Sequence, residues 1–184
     1  MSDSYRPTGL WDRTPYLSTE RLILEPLRVF HAASMTPVLA DPELYEFTGG
    51  HPPTQDQLER RYMLMYAGSR SETEHWHNWI VSRRGSSQVV GHLQATVWAT
   101  ECALAWTTGL RCQGQGFATE GATATRDWLA SRGANVFIAS IHPAHAASQA
   151  VASSLGLSLL DHRDAAQLPT GRIDENEQAW ASSV

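Results

Sequence analysis

The amino-acid sequence predicts a mixed α/β domain whose central sheet is mostly antiparallel. Three consecutive segments have the alternating apolar and polar pattern of strands and are joined by short connections, which favours antiparallel neighbours. A glycine-rich loop follows the third of them, and a helix and a further apolar strand come next. A strand, a crossover helix and a second strand form a right-handed unit with one parallel pair. The predicted fold class is therefore α/β with a mixed sheet.

The predicted elements follow the order β, α, α, β, β, β, glycine-rich loop, α, β, α, β, β. Strands are predicted at 21–28, 78–84, 89–98, 101–107 and 136–141, and helices at 30–39, 54–67, 118–131 and 146–155. Pro26 shifts the first strand toward an edge or a bulge, because proline cannot donate a hydrogen bond to a neighbouring strand. Residues 157–180 are predicted to form a strand, a polar loop at Pro169-Thr170-Gly171 and a last strand at the sheet edge.

The length and composition indicate a single globular domain. The chain has 184 residues, of which 42% are hydrophobic and 18% charged, a mixture that can bury one continuous core. We expect residues 1–15 to form an N-terminal arm that packs late or not at all, and residues 16–184 to form the domain. No apolar run approaches the roughly 18–20 residues of a membrane span, and the polar N-terminus does not resemble a signal peptide. A cytoplasmic protein without membrane association is expected.

The charged and metal-binding residue types exclude several function classes. The formal net charge is −5 and there is no long basic run, so a nucleic-acid partner is not expected. The sequence contains no lysine, which excludes a Schiff-base lysine, a pyridoxal-phosphate anchor and a phosphate-loop lysine. Two cysteines are too few for a disulfide framework. His75 and His77 lie two apart on a strand without a third ligand of matching spacing, so no metal site is predicted and a place in a pocket wall is expected instead.

A glycine-rich loop, Gln113-Gly114-Gln115-Gly116-Phe117-Ala118, lies between a strand and a helix and is the main chemical signal of the sequence. Glycines let backbone N–H groups turn toward a ligand without side-chain obstruction. The start of the helix adds unpaired N–H groups and the positive end of the helix dipole, a combination suited to a diphosphate. The alternative is a turn that binds nothing. The dinucleotide-binding fingerprint fits poorly, because a third glycine is missing and several strands precede the loop.

The loop and its surroundings resemble the GNAT superfamily of acyl-CoA N-acyltransferases over most of the chain, from Ser18 to Trp180. Gln113-x-x-Gly116-x-Ala118 matches the Q/R-x-x-G-x-G/A pyrophosphate loop of that family. Further segments are similar to its ribosomal-protein-acetyltransferase-like branch: Ser18–Leu27, Ala103–Trp106, Ile141-His142-Pro143-x-His145-x-x-Ser148 and Leu155-Gly156-Leu157. The resemblance implies a single domain with helices on both faces and a central sheet splayed between its fourth strand (101–107) and its fifth (136–141).

The resemblance also implies a co-substrate and a reaction. Acetyl-CoA, or another short acyl-CoA, would lie in the split between the two strands. The residues implied in binding it are Trp106, Thr107, Gln113, Gly114, Gln115, Gly116, Phe117, Ala118, His145 and Ser148. A backbone N–H near Trp106 or Thr107 would polarise the thioester carbonyl, and the acceptor would attack it directly. The implied acceptor is a small-molecule amine or a protein N-terminal amine, and a homodimer is left open.

The sequence differs from the family pattern at two positions, and these differences suggest the candidate catalytic residues. Many relatives have a glutamate where this chain has Ala103, and Glu101 lies on the same strand face two residues away. Glu101 is therefore a candidate proton acceptor, with a solvated strand-end carboxylate as the alternative. Many relatives have asparagine where this chain has His145, which can order the cofactor or transfer a proton. Ser148 is a candidate donor to the departing thiolate, with a first-turn serine bonded to the backbone as the alternative.

Three functions are each compatible with some of the sequence motifs described above. The first is N-acyl transfer, and the second is a non-catalytic acyl-CoA-binding module of the same fold, which Ala103 favours. The third is a phosphotransferase or nucleotide binder, which the missing lysine and the missing acidic metal ligands disfavour. His92 and Gln94 share a strand face, so they either reach the acceptor or are packed polar residues.

Overall fold

The computed structural model describes Trp11, residues 13–161 and residues 176–182. Within these residues, eight strands form one sheet: β1 (Leu17–Ser18), β2 (Leu22–Pro26), β3 (His75–Arg83), β4 (Val89–Trp98), β5 (Glu101–Thr108), β6 (Val136–Ile141), β7 (Ser158–Leu159) and β8 (Gln178–Ser182). The described α-helices are α1 (His31–Met35), α2 (Gln55–Ala67), α3 (Phe117–Ser131) and α4 (Ala146–Ser154). Short 3₁₀ helices lie at Pro42–Tyr45 and Leu110–Cys112.

The strands are ordered β1-β2-β3-β4-β5-β6-β8-β7 across the sheet. Each neighbouring pair is antiparallel except β5 and β6, which are parallel and connected through α3. A parallel pair needs such a crossover because the chain must return to the same end of the sheet. The predicted α/β class with a mostly antiparallel mixed sheet is confirmed.

The sheet opens between β5 and β6. Their pairing runs only from Glu101 opposite Val136 to Ala103 opposite Ile138. By contrast, β5 stays paired with β4 as far as Thr108. The second half of β5 therefore separates from β6, as expected for a sheet splayed between these two strands.

Helices pack on both faces of the sheet, which was also expected. One buried cluster joins the strands to α3 and α4, and its members include Leu22, Leu24, Trp79, Leu93, Leu104, Phe117, Leu129 and Val151. A second cluster joins the strands to α1 and α2, and its members include Leu27, Ala32, Met35, Leu58, Tyr62 and Ile80. Trp79 and Ile80 are neighbours on β3 and belong to different clusters, because successive side chains of a strand point to opposite faces. None of the described helices is long and apolar enough to cross a membrane.

Several elements differ from the prediction: β1 (Leu17–Ser18) was not predicted, and β3 begins at His75 and not at residue 78. Helix α1 ends at Met35 and not at residue 39, because Pro37 has no N–H for the next helical hydrogen bond and the chain continues as turns. The predicted edge position of the last strand is wrong, since β8 lies between β6 and β7 in the described sheet. β8 pairs with β6 from Phe137 to Ile141, whereas the two-residue β7 is left at the edge. The predicted loop at Pro169-Thr170-Gly171 lies outside the described residues.

The described part of the predicted N-terminal arm contacts the core. Trp11 is buried, and its ring lies 6.1 Å from the ring of Trp128 in an edge-on arrangement. The indole N–H of Trp79 donates to the backbone carbonyl of Pro15 at 2.7 Å. These contacts join the residues before β1 to β3 and α3, and the domain boundary at residue 16 stays a prediction.

His77 lies in a cluster of tryptophans, so its expected place in a pocket wall is wrong. Its side chain is 1% exposed, and its ring packs against Trp11, Trp79 and Trp128 at centroid distances of 5.0–6.1 Å. Its Nδ1 shares a 3.0 Å hydrogen bond with the hydroxyl of Thr14, while its Nε2 is buried without a partner among the described residues. No local pattern predicts this placement, because Trp11 and Trp128 are distant from β3 along the chain.

We expect the buried His77 to make the stability depend on pH. Burial, with a smaller contribution from His75, lowers the pKa of His77 to about 4. The pKa of an unfolded histidine is about 6.5, so between these pH values the unfolded chain binds a proton that the folded chain does not. The free energy of unfolding should therefore fall as pH falls from 7 to 4.5, with about 2–3 kcal/mol of the loss due to His77.

Urea unfolding at the two pH values measures this contribution. The loss of stability should be smaller by about 2–3 kcal/mol in His77→Phe than in the wild type, because phenylalanine does not titrate. His51→Gln is the control, since His51 is exposed, and it should show the wild-type loss. An equal loss in all three proteins would contradict the assignment.

Candidate functional site

The glycine-rich loop follows β5 and the short 3₁₀ helix and ends at the first residue of α3. Gly114 and Gly116 have φ angles of +70° and +78°, in the left-handed region that favours glycine. Gly116 is the N-cap of α3 and offers no side-chain cap, so the first N–H groups of the helix lack partners within it. Glu120 is the first residue of the helix whose N–H has a carbonyl partner: it donates to the carbonyl of Gly116 at 3.0 Å. The loop therefore has the open backbone donors that a diphosphate site needs.

The two glutamines of the loop hold its shape through their own side chains. The amide of Gln113 donates to the carbonyl of Thr108 at 3.1 Å, and the amide of Gln115 donates to the carbonyl of Arg111 at 3.0 Å. Both side chains thus turn back on the segment that precedes the loop. The backbone of the loop, and not these amides, is the surface left for an anion.

Arg21 supports the loop from the adjacent strand end, and the sequence reasoning missed it. Its Nη1 donates to the carbonyl of Gln115 at 3.0 Å, and its guanidinium carbon lies 4.8 Å from the ring centre of Phe117. Its Nε forms a 2.6 Å ion pair with Glu120 in the first turn of α3. Burial acts to raise the pKa of Glu120, but the hydrogen bonds from Thr19 and Arg21 lower it on balance. Arg21 therefore fixes both the loop and the start of the helix.

The wall of the split is formed by the second half of β5. One small cavity is lined by four of the residues predicted to bind the cofactor, Trp106, Thr107, Phe117 and Ala118. Its lining also includes Val90 and Gly91 of β4. The backbones of β4 and β5 approach closely here, since a Cβ on Gly91 would lie 1.9 Å from the carbonyl oxygen of Thr107. The structure thus brings the predicted strand residues and the start of α3 to one place.

His145 lies on the other side of the split, at the N-cap of α4. Its ring stacks on Phe47 with a centroid distance of 4.6 Å, and Phe47 also contacts His142 at 5.5 Å. Burial lowers the pKa of His145, and His142 adds to this effect while Glu46 opposes it. Burial is the main cause of this lowered pKa, which favours a neutral imidazole.

The remaining predicted site residues lie at different positions along the split. Ser148 is half-buried three residues after His145, one turn along α4. Glu101 is half-buried at the start of β5, where the strand is still paired with β6. It lies five residues before Trp106, which is about 17 Å along an extended strand. Phe47 was not a candidate, because only the fold brings residue 47 against residue 145.

The comparisons with known proteins agree with this arrangement. The sequence profile of the family "Acetyltransferase (GNAT) domain" matches residues 21–158. No curated protein sequence matches the chain. The structure is similar to an acetyltransferase from Agrobacterium tumefaciens str. C58, with a TM-score of 0.72, 21% identity, and 97% of this chain and 100% of that chain covered.

Two further solved structures belong to proteins named for ribosomal substrates. A putative ribosomal-protein-serine acetyltransferase from Vibrio cholerae has a TM-score of 0.70 at 16% identity, covering 94% of this chain and 100% of that one. RimL, a ribosomal L7/L12 alpha-N-protein acetyltransferase in complex with coenzyme A, has a TM-score of 0.73 at 14% identity, covering 92% of this chain and 98% of that one. At these identities the likeness concerns the fold. Because the family profile matches more than half of the sequence, the chain belongs to the GNAT acetyltransferase family.

Proposed function

We propose that the chain transfers an acetyl or other short acyl group from acyl-CoA to a primary amine, by direct attack in a ternary complex. The observation that carries this proposal is the uncapped glycine loop at the open end of the split between β5 and β6. The family membership and the coenzyme A bound to RimL support acyl-CoA as the co-substrate. The acceptor class is a small-molecule amine or a protein N-terminal amine.

Different residues have different roles in the proposed reaction. The N–H groups from Gly114 to Ala118 hold the diphosphate, and the open edge of β5 lines the pantetheine arm. When bound, acyl-CoA supplies an activated thioester carbonyl. A backbone N–H near Trp106 or Thr107 stabilises the negative charge that develops on its oxygen. Ser148 donates to the departing thiolate, and the neutral His145 orders the cofactor or a water molecule.

The acceptor amine must lose a proton, and Glu101 is the proposed destination. Its position at the paired end of β5 places it away from Trp106, so the proton would travel through water. We expect Glu101→Gln to lower kcat at least tenfold, the scale of a lost proton acceptor, without changing the affinity for acetyl-CoA. Glu43→Gln, which removes an exposed carboxylate that is not a candidate site residue, is the control. Unchanged kcat in Glu101→Gln would remove Glu101 from the site and leave water as the acceptor.

A non-catalytic acyl-CoA-binding module is the second candidate, and Ala103 favours it. A methyl group cannot accept a proton, and Ala103 occupies the position of the usual glutamate. One experiment separates the two functions: thiol release from acetyl-CoA with a panel of amines, together with a titration of coenzyme A. Amine-dependent thiol release supports the transferase. Tight binding of coenzyme A without thiol release for any amine supports the binding module and rejects the transferase.

A further inference from the structure

The guanidinium of Arg21 uses only part of its hydrogen-bonding capacity. Its Nε donates to Oε2 of Glu120 at 2.6 Å, and its Nη1 donates to the carbonyl of Gln115 at 3.0 Å. Nη2 also carries N–H donors, and it donates to none of the described residues. The side chain is 47% exposed, so these remaining donors are accessible to a ligand.

The open nitrogen of Arg21 lies beside the glycine-rich loop. A Cβ placed on Gly116 would lie 3.4 Å from Nη2, so Nη2 borders the space in front of this glycine. The ring of Phe117 is buried and its centre lies 4.8 Å from the guanidinium carbon, which keeps the guanidinium against the start of α3. Nη2 is therefore held next to the backbone surface on which the diphosphate is proposed to bind.

Glu120 is the negative charge that opposes an anion at this place. Among the described residues, it is the only carboxylate within ion-pair distance of Arg21. Its Oε1 accepts from the backbone N–H of Arg21 and from the hydroxyl of Thr19, while its Oε2 accepts from Nε of Arg21. Both oxygens of Glu120 are thus bonded to donors other than Nη2. The ion pair cancels the net charge of the two side chains, but it leaves a directed donor beside the loop.

An arginine donor beside open backbone N–H groups is suited to a phosphate. Arginine binds phosphate oxygens through directed N–H groups, and hydrogen bonds from a charged donor are stronger than those from a neutral one. The loop and the uncapped start of α3 supply the backbone donors. We propose that Nη2 of Arg21 donates to a phosphate oxygen of the coenzyme A diphosphate, so that Arg21 binds the co-substrate and does not only support the loop. This inference rests on the proposed binding of acyl-CoA.

The first test is a calorimetric titration with coenzyme A and with 3′-dephospho-CoA, which keeps the diphosphate and lacks the 3′-phosphate. We expect Arg21→Gln to weaken the binding of both ligands at least tenfold, the scale of a lost hydrogen bond to a charged group. A loss confined to coenzyme A would assign Arg21 to the 3′-phosphate and overturn the diphosphate contact. A loss below threefold for both ligands would overturn it as well.

Arg126→Gln is the matched control for this titration. Arg126 also pairs with a carboxylate, that of Asp127, and also donates to a backbone carbonyl, that of Leu155. It lies nine residues after Phe117 on α3, about 14 Å along the helix and away from the loop. This variant should keep the wild-type affinity for both ligands.

Glu120→Gln separates contact with the ligand from support of the loop. This change removes the ion pair but keeps the guanidinium, and it also removes a negative charge near the diphosphate. If Arg21 contacts the phosphate, Glu120→Gln should bind coenzyme A at least tenfold more tightly than Arg21→Gln. Both variants lose the same ion pair, so their melting temperatures should be similar. An equal loss of affinity in the two variants would show that Arg21 only supports the loop, and it would overturn the proposed contact.

The salt dependence of binding gives a further measurement that needs no turnover. The affinity of the wild type for 3′-dephospho-CoA should fall more steeply with added sodium chloride than that of Arg21→Gln, because salt screens the interaction of an exposed arginine with phosphate. Equal salt dependence would overturn the contact. Arg21-dependent binding without amine-dependent thiol release would reject the proposed transferase and retain the contact. Thiol release together with wild-type affinity in Arg21→Gln would overturn the contact and leave the transferase standing.

Discussion

Gly116→Val is expected to weaken acetyl-CoA binding at least tenfold, about 1.4 kcal/mol. Gly116 has a φ of +78° and begins α3, so a β-branched residue there is strained and places side-chain atoms on the surface that the diphosphate must approach. A Cβ at this position would also lie 3.4 Å from Nη2 of Arg21, the side chain that holds the loop. Both effects act on the loop and leave the sheet unchanged.

Isothermal titration with coenzyme A measures this loss directly. Gly156→Val is the matched control, because Gly156 has a φ of +79°, lies outside the loop, and has open space around its Cβ position. Both variants carry similar backbone strain, so their thermal stabilities should fall by comparable amounts. Only Gly116→Val should lose affinity for coenzyme A. A folded Gly116→Val protein with wild-type affinity would reject the loop as the diphosphate site.

His145→Ala is expected to lower kcat/KM at least tenfold, about 1.4 kcal/mol of transition-state stabilisation, whereas His145→Asn should keep much of the activity. Burial and the neighbouring His142 lower the pKa of His145, so the imidazole is mostly neutral at pH 7. A neutral imidazole and an asparagine amide can each donate and accept a hydrogen bond, and alanine can do neither. The expected role is therefore to order the cofactor or a water molecule.

The pH–rate profiles of the two variants decide between this role and proton transfer. If His145 is a general base, asparagine and alanine should be equally damaging, and the acidic limb of the profile should disappear in both. His142→Ala is the control for the lost contact with Phe47, since His142 touches the same ring, and it should stay within about threefold of the wild type. Wild-type kinetics in both His145 variants would place His145 outside the site.

The elements that carry the fold were predictable because their signals are local. Alternating residues mark β4 and β5, and Gly116 marks the start of α3 within one residue of the predicted position. The parallel pair followed from the order of these elements and a general rule of handedness. The position of β8 was not predictable in this way. Whether the last strand lies inside the sheet or at its edge depends on pairing with distant segments, which a local pattern does not record.

The candidate site was predictable where one motif contains its residues, and not where distant segments meet. Gln113 to Ala118 are contiguous, so their common location needed no tertiary information. Arg21 reaches Gln115 across 94 positions of sequence, and Phe47 meets His145 across a similar separation. Such contacts arise from the packing of the whole sheet. A sequence can suggest the residue types, but it does not state which of them become neighbours.

The short pairing between β5 and β6 also leaves two parts of the sheet joined by few backbone hydrogen bonds, although one buried cluster spans both parts. Strands β1 to β5 form the larger one, while β6, β7, β8 and α4 form a smaller one that meets it over three pairs of residues and through α3. Native-state fluctuations tend to open a protein at such sparse junctions, with the smaller unit separating first. A co-substrate bound in the split would touch the loop on one unit and α4 on the other. Binding of the co-substrate would then stabilise the closed arrangement of the two parts, because the ligand contacts both of them.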